Sequence, residues 1–203
     1  MSVYGRVFAA IYDKQLAAVE RAGLAEHRRA LLTQARGRVV EIGAGTGLNL
    51  DYYGPEATEL VLTEPEEPMA RRLRARLKRG EVVEAPADRL PFPDDSFDTV
   101  VSTLVLCTVP DQERALAEVR RVLKPDGRLL FLEHVRSGDP KVAKWQDRLL
   151  RPWRAVGHGC HCNRDTAAAL MRAGFALEMQ TWRLPKAPPI VRPVIEGFAR
   201  PTN

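Results

Sequence analysis

The stretch VVEIGAGTGLN, residues 39–49, decides the fold. It begins with β-branched residues, preceded by Arg38, and this run predicts a short buried strand. Three glycines then follow at every second position: Gly43, Gly45 and Gly47. In a doubly wound α/β sheet, the glycine loop after the first strand holds the ligand. The dinucleotide fingerprint G-x-G-x-x-G places its third glycine later. The loop therefore predicts a ligand other than a dinucleotide.

Strand and helix patterns alternate along the rest of the chain. Runs rich in β-branched or apolar residues predict strands at 38–43, 59–65, 81–85, 96–106 and 128–135, with further extended runs near 175–183 and 190–199. Helical patterns lie at 68–79, at 111–127 with Asp111 as a candidate N-cap, and at 165–175. This alternation predicts an α/β, Rossmann-like parallel sheet with helices on both faces. Residues 3–35 have a helical composition, so we expect an N-terminal helical lid at 1–36 and a single domain at 37–203.

The composition limits the class of protein. With 203 residues, 45% of them hydrophobic, the chain is long enough for one domain with a buried core. Its 31 basic and 26 acidic residues give a net charge of only +5. The basic run at 70–80 accompanies Met69, Leu73 and Leu77 at every fourth position, so we interpret it as the solvated face of a helix. No aromatic residue interrupts the run, and we expect no nucleic-acid partner.

The cysteines and the N-terminal residues indicate a compartment. Cys107, Cys160 and Cys162 are too few, and odd in number, for a disulfide framework, and they fit a reducing environment. The first residues contain no long apolar segment, so we expect neither a membrane anchor nor a signal peptide. The prediction is a soluble, cytoplasmic monomer or homodimer.

Two acidic residues accompany the glycine loop. Glu41 lies two residues before Gly43, and Glu64 ends the second strand, 23 positions after Glu41. A carboxylate beside the loop favours a cationic ligand, and S-adenosylmethionine carries a positive amino group and a positive sulfonium. Glu41 would take the amino group directly or through water, while the glycines would let the backbone approach the methionyl and ribose parts. Glu64 would accept both ribose hydroxyls.

Four sequence blocks resemble a known family: VVEIGAGTG, LTEP, ADRLPFPDDSFDTVV and EVRRVLKPDGRLLFLEHV, in this order within 37–135. They are similar to the class I S-adenosylmethionine-dependent methyltransferases, and most of all to the type 11 group, which includes quinone-biosynthesis enzymes. The resemblance implies a seven-stranded sheet whose last strand is antiparallel, and S-adenosylhomocysteine as the product. It implies a cofactor site formed by Glu41, Gly43, Ala44, Gly45, Thr46, Gly47, Asn49, Glu64, Pro65, Met69, Ala87, Asp88, Thr103 and Leu104. Relatives carry an aspartate where this chain has Pro86, so Asp88 or backbone groups would replace that contact to the adenine.

A narrower resemblance rests on STLVLCTV, LEHV and WQDRLLRPWRAVGHGCHCNRDT. These segments are similar to the thiol methyltransferases of the methyltransferase-like seven group and their soluble bacterial relatives. The resemblance implies a small thiol as the methyl acceptor. The membrane-associated members have an apolar N-terminal anchor that this chain lacks, so the membrane association is not carried over.

Candidate acceptor-site residues follow the fourth and fifth strands. His134 could take a proton or orient an acceptor, or it could be a structural histidine bonded to backbone. Cys107 stands where many relatives carry histidine and could line the acceptor pocket or be a small buried apolar residue. Tyr12 could close the pocket from the N-terminal helix, and His158 could face the methyl group. A thiol acceptor is partly ionised near neutral pH and needs little help from a base.

The segment GHGCHC, 157–162, is the most unusual part of the chain. His158, Cys160, His161 and Cys162 are all potential ligands of soft metals. Ligands so close in sequence cannot all reach one tetrahedral ion without strain, and no second C-x-x-C pair exists, so we expect no metal site. Alternatively, the segment lines the acceptor pocket, or the three cysteines hold trivalent arsenic, which requires them to converge in space.

The sequence favours an enzyme that methylates a small molecule, with a thiol as the leading acceptor. The alternative acceptor is an oxygen or carbon atom of a quinone-like or phenolic metabolite. From a different class, the chain could be an S-adenosylmethionine-binding protein that has lost catalysis. A nucleic-acid methyltransferase would show an N/D-P-P-Y motif after the fourth strand, where this chain has TLVLCTV.

Overall fold

The computed structural model describes residues 3–202, apart from the side chains of residues 3–8 and 10. Seven strands lie in these residues: β1 Gly37–Ile42, β2 Ala57–Thr63, β3 Glu81–Val83, β4 Phe97–Thr103, β5 Leu123–His134, β6 Phe175–Arg183 and β7 Pro193–Pro201. They form one sheet in the order β3-β2-β1-β4-β5-β7-β6. Strands β1 to β5 are parallel, and β7 is antiparallel to both β5 and β6. The predicted fold class and the antiparallel last strand are confirmed.

Six α-helices accompany the sheet: α1 Val3–Val19, α2 Ala25–Leu32, α3 Glu67–Arg76, α4 Gln112–Val122, α5 Pro140–Val156 and α6 Thr166–Arg172. A π-helical turn, Glu20–Leu24, joins α1 to α2, and Gly23 with a φ of 132° produces a kink there. The expected N-cap of α4 is confirmed, because the Asp111 side chain accepts a hydrogen bond from the Arg114 N–H.

Helix α5 is the element that the sequence patterns missed. Only Ala143 and Gln146 of its 17 residues are buried, so its core-facing side is short and partly polar. The helix is still amphipathic, because Trp145, Leu149 and Val156 recur at helical spacing on one face, although all three are exposed. It is also capped at its start, because Asp139 accepts from the Lys141 N–H.

The central strands of the sheet are buried on both faces, which explains their continuous apolar runs. Alternate residues of β5 enter different core clusters, with Leu129 and Phe131 on one face and Leu130 and Leu132 on the other. All four are fully buried. Period-two alternation therefore places apolar side chains in two separate cores, one on each side of the sheet.

The fourth strand is shorter than the apolar run suggested, and the predicted strand at 96–106 is wrong for its last three residues. The run leaves the sheet at Leu104, which adopts a left-handed φ of 62°. A turn follows, because the N–H groups of Val105 and Leu106 donate to the Glu133 carboxylate instead of to a neighbouring strand.

The strand order reverses between β1 and β4, since the chain moves from β1 outward to β2 and β3 and then returns. Ligands of open α/β sheets bind at such a switch point, beyond the carboxyl ends of the strands. The fold thus places the loops after β1, β2, β4 and β5 around one cleft. Of the helices between residues 3 and 202, none combines the length and the apolar character needed to cross a bilayer.

Gln146 connects α5 to three separate segments of the chain. Its amide nitrogen donates to the backbone carbonyls of Val135, Cys162 and Ile190 at 2.8–3.0 Å. Its amide oxygen accepts from the Ser137 N–H at 2.8 Å. The side chain is fully buried, so these backbone groups have no water to replace it.

Replacing Gln146 by Leu should lower the free energy of unfolding by about 2–4 kcal/mol, because it leaves several buried backbone groups without partners. Urea unfolding followed by circular dichroism measures the change. Lys144→Leu makes the same replacement at an exposed position of the same helix and should change stability by less than about 0.5 kcal/mol. Equal losses in the two variants would contradict the role given to the Gln146 amide.

Candidate active site

A cleft of about 850 Å³ lies at the carboxyl ends of the central strands. Most residues that the sequence nominated lie in its wall: Tyr12, Gly43, Gly45, Glu64, Pro65, Met69, Ala87, Asp88, Thr103, Leu104, Cys107, His134 and His158. Helix α1 crosses one side of the cleft and contributes Leu16 and Val19 as well as Tyr12. Burial raises the pKa of the Tyr12 hydroxyl to about 12, so this residue presents a neutral phenol to the cleft.

Five nominated residues do not line the cleft: Glu41, Ala44, Thr46, Gly47 and Asn49. All five are buried: Ala44, Thr46 and Gly47 belong to the glycine loop itself, while Glu41 and Asn49 flank it. Thr46 holds α1 against this loop, because its hydroxyl donates to Asp13 at 2.5 Å. The structure thus divides the nominated set into residues that face the cleft and residues that support the loop.

The glycine loop depends on two residues without side chains. Gly43 and Gly45 both have a φ of 58°, in the left-handed region that favours glycine. A Cβ atom on Gly43 would lie 2.8 Å from the methyl groups of Val105, so this glycine is required by packing. A Cβ on Gly45 would have only the Tyr12 ring nearby, at 3.9 Å. Gly45 therefore leaves space in the cleft for a ligand to approach the backbone.

Glu64 faces the cleft with its carboxylate already oriented. Its two oxygens accept from the backbone N–H groups of Gly45 at 2.8 Å and Glu66 at 2.9 Å. Burial raises its pKa to about 7, although these two hydrogen bonds act in the opposite direction, and the nearby acids Glu66 and Glu41 raise it further. Each oxygen keeps a lone pair, so the group can accept two hydroxyl donors when it is ionised.

Glu41 is turned away from the cleft. One oxygen accepts from the Asn49 amide at 2.7 Å and the other from the Tyr53 hydroxyl at 2.6 Å. Burial raises the pKa of this carboxyl, and the same two hydrogen bonds lower it. Glu41 is only 2% exposed and lies outside the cleft wall, so a ligand amino group would reach it through an intervening group or after a local rearrangement.

Arg28 of α2 contacts Asn49, which flanks the glycine loop. Its guanidinium donates to the side chains of Asn49 at 3.0 Å, Thr103 at 2.9 Å and Glu20 at 3.0 Å. The residue is only 2% exposed. Arg28 was not predicted from the sequence, and no local motif marks it, because its three partners lie on three different segments of the chain.

The inner end of the cleft brings together Cys107, His134 and Cys160. The Nδ1 atom of His134 lies 3.8 Å from the Cys107 sulfur and 3.7 Å from the Cys160 sulfur. The contact between the sulfurs lowers the pKa of Cys160, helped by His134, and raises the pKa of Cys107. Trp153, Leu184 and Val191 form an apolar wall nearby.

Glu133 fixes the turn that carries Cys107. Its buried carboxylate accepts from the Ser102 hydroxyl at 2.7 Å and from the backbone N–H groups of Val105, Leu106 and Cys107 at 3.0–3.2 Å. The sequence analysis did not single out Glu133. The available signal was a lone acid in the otherwise apolar strand run RLLFLEHV.

The segment 157–162 does not act as one ligand set. His158 lines the cleft at its rim, where its Nε2 lies 2.8 Å from a Glu66 oxygen. Cys160 faces the inner end, while His161 and Cys162 are not in the cleft wall. The backbone N–H of His161 donates to the Cys107 carbonyl at 2.7 Å. Two of the three cysteines therefore converge, and Cys162 is outside the cluster.

Comparison with known proteins agrees with this geometry. Residues 40–131 match a family described as a methyltransferase domain. The chain is 32% identical to human thiol S-methyltransferase TMT1A over 95% of its own length and 82% of the relative. It is 34% identical to the ubiquinone/menaquinone biosynthesis C-methyltransferase UbiE of Bordetella avium, over 67% of this chain and 62% of the relative. Among solved structures, a Thermotoga maritima S-adenosylmethionine-dependent methyltransferase, described as a possible histamine N-methyltransferase, superposes with a TM-score of 0.71 at 26% identity, covering 96% of this chain and 94% of that one.

Replacing Arg28 by Met should lower the free energy of unfolding by about 3–5 kcal/mol, since the buried acceptors of Asn49 and Glu20 lose their donor while the aliphatic stem is kept. Denaturant unfolding measures the effect. Arg29→Met, at the next and exposed position, should stay within about 0.5 kcal/mol of the wild type. The support assigned to Arg28 would be refuted by a loss no larger than that of the control.

Proposed function

Because this chain belongs to the class I S-adenosylmethionine-dependent methyltransferases, we propose that it transfers the methyl group to a small, largely apolar thiol. The cofactor and the reaction type follow from the family. The choice of a thiol is the finer step, and it rests on the inner end of the cleft. The observation that carries it is the grouping of Cys107, His134 and Cys160 beside an apolar wall.

The chemistry of the acceptor supports this choice. Methyl transfer from a sulfonium is an in-line displacement with a good neutral leaving group, so the protein must mainly align the reactants and exclude water. A phenol or an activated carbon needs a general base as well. Among the described residues at the inner end, His134 is the candidate base, and its Nδ1 is already in contact with two sulfurs. A thiol, which ionises near neutral pH, depends least on such a base.

The names of several relatives point in the same direction. Human TMT1A and TMT1B are both thiol S-methyltransferases, and the second is 37% identical over 83% of this chain and 73% of its own length. The chain also resembles UbiE, a quinone-biosynthesis C-methyltransferase. Because of that second resemblance, an assay should compare the thiol with a phenolic or quinone-like acceptor.

For the cofactor, we assign the roles from the positions of the cleft residues. Gly43 and Gly45 would face the methionyl part, and Glu64 would accept the ribose hydroxyls. Ala87 and Asp88 would flank the adenine, and Thr103 and Leu104 would lie beside the methionyl chain. The residues Glu41, Thr46 and Asn49 would act indirectly by holding the loop. This arrangement directs the sulfonium toward the inner end, where the acceptor would bind.

Helix α1 would serve as a lid over the bound cofactor. Tyr12, Leu16 and Val19 lie in the cleft wall, and Asp13 is bonded to Thr46 of the loop. Arg76 of α3 strengthens this closure, because it donates to the Thr46 carbonyl and to Asp13. The lid at 1–36 and the domain at 37–203 would then enclose the reaction together and exclude water.

Cofactor affinity should rise with pH through the pKa of Glu64, because only the ionised carboxylate offers both oxygens to the ribose. With a pKa of about 7, binding at pH 8 should be about tenfold tighter than at pH 6. The sign follows from the raised pKa: the group is protonated below it and charged above it. Isothermal titration with S-adenosylhomocysteine at several pH values measures the profile.

Glu64→Gln is the matched control for this profile. It should weaken binding by about 10–100-fold at pH 8, because a charge-assisted hydrogen bond contributes about 1.5–3 kcal/mol. Any pH dependence of binding that the variant keeps must come from the amino group of the ligand or from other residues of the protein. An identical pH profile in both proteins would remove Glu64 from the ribose site.

The acceptor itself is tested by single turnover with S-adenosylmethionine and detection of S-adenosylhomocysteine. A small alkyl thiol and a phenol of similar size are compared at equal concentration. We expect kcat/KM for the thiol to exceed that for the phenol by at least about 100-fold, a difference of about 2.7 kcal/mol in the transition state. Preference for the phenol would favour the oxygen or carbon acceptor, and cofactor binding without turnover of either would indicate a binding protein.

A further inference from the structure

We propose that Cys107, His134 and Cys160 form a three-ligand site for a soft divalent cation such as Zn²⁺, with a fourth position open to the cleft. Their donor atoms all lie within 4.8 Å of one another. The site lies in the proposed acceptor region, but the binding of the ion is independent of which acceptor is used.

The two sulfur–nitrogen distances at the cluster are close to those of tetrahedral coordination. Zn–S bonds of about 2.3 Å and Zn–N bonds of about 2.0–2.1 Å, separated by a tetrahedral angle, place sulfur and nitrogen about 3.6 Å apart. The His134 Nδ1 lies 3.8 Å from the Cys107 sulfur and 3.7 Å from the Cys160 sulfur. An ion would thus require shifts of only about 0.2 Å in these two distances.

The three ligands come from different elements that are tied together by other contacts. Cys107 is held by Glu133, and its carbonyl accepts from the N–H of His161, next to Cys160. The guanidinium of Arg164 donates to the Leu106 carbonyl at 2.8 Å and so fixes the same two segments a second time. His134 is paired with Val194 at the end of β5. A rigid arrangement of this kind lowers the cost of assembling a metal site.

The donor set selects the type of ion. Two sulfurs and one imidazole favour zinc and other soft or borderline cations over Mg²⁺ or Ca²⁺, which prefer oxygen. Two thiolates balance the charge of a divalent ion, so the complex could be buried at low cost. Trp153 also lines this end of the cleft, and its indole N–H interacts with the Cys160 sulfur, so it would remain a donor to a metal-bound thiolate.

Three protein ligands and an open position are typical of catalytic rather than structural zinc sites. If the acceptor is a thiol, a role that rests on the proposed function, it would bind there and lose its proton to solvent. The thiolate electron pair would form the new sulfur–carbon bond, while the bond from the methyl carbon to the sulfonium sulfur breaks. S-adenosylhomocysteine leaves neutral, and the neutral thioether product, a weaker ligand than a thiolate, dissociates from the ion.

The test is a titration of the reduced, metal-free protein with Co²⁺, which reports both ligand type and geometry. We expect a thiolate-to-cobalt charge-transfer band in the near ultraviolet and intense tetrahedral d–d bands, saturating at about one ion per chain. Addition of Zn²⁺ should abolish these bands, and elemental analysis should find a similar stoichiometry of zinc. Absence of the charge-transfer band in the reduced wild type would overturn the site.

Variants identify the ligands. Cys160→Ala and His134→Ala should weaken metal binding by at least about 100-fold. Cys162→Ala removes a buried cysteine two positions from Cys160 and should leave the spectrum unchanged. Circular dichroism establishes whether each variant is folded. If a variant does not fold, the cobalt spectrum of the wild-type protein still decides the proposal. Equal loss in Cys162→Ala and Cys160→Ala would also overturn the assignment.

The proposed metal site and the proposed thiol acceptor can be refuted independently of each other. A missing cobalt spectrum with active thiol methylation removes the ion and leaves the proposed function. A positive spectrum without thiol turnover keeps the ion and removes its role in activating the acceptor. When both are present, adding methyl-acceptor thiol should shift the d–d bands, because the thiolate enters the fourth position.

Discussion

A carboxylate buried at the end of a strand must find hydrogen-bond donors, and this requirement organises the whole carboxyl edge of the sheet. Glu41 ends β1 among side-chain donors, Glu64 follows β2 and accepts from two backbone N–H groups, and Glu133 near the end of β5 accepts from three. Each acid holds one loop in a single arrangement, because an unpaired buried charge would cost several kcal/mol. These loops form one side of the cleft, and helix α1 and residues of the segments 153–160 and 184–191 form the rest.

The three carboxylates divide the cleft into regions with different chemistry. Glu64 is the acid that both faces the cleft and keeps free lone pairs, so it suits a ligand with hydroxyl donors. Glu133 faces away and instead presents Cys107 to the inner end, beside His134. The proposed cofactor region is therefore polar on one side and shaped by close backbone approach. The inner region is apolar and carries sulfur and imidazole, which suits a soft acceptor.

Much of the fold and of the cleft wall could be predicted from local patterns. A buried strand, a loop of alternating glycines and a capped amphipathic helix depend on neighbouring residues in the chain, so the run from Val39 to Gly47 and the cap at Asp111 were recognisable. Helix α5 was not predicted, although Trp145, Leu149 and Val156 recur in it at helical spacing. The contacts of its Gln146, which reach Val135, Cys162 and Ile190, could not be inferred from any local pattern. Residues such as Arg28 act across separate segments of the chain and leave no periodic signal.

The sequence by itself determined the α/β class, the glycine loop and the acids at the strand ends, since these follow from residue type and spacing along one segment. Only the tertiary structure decided which side chains meet. It turned Glu41 away from the cleft, paired His158 with Glu66, and brought Cys160 to Cys107 and His134 while leaving Cys162 apart. The reason is that the donors and acceptors of these contacts are far apart in the chain, and their distances are set by how the turn after β4 and the segment after α5 pack against each other.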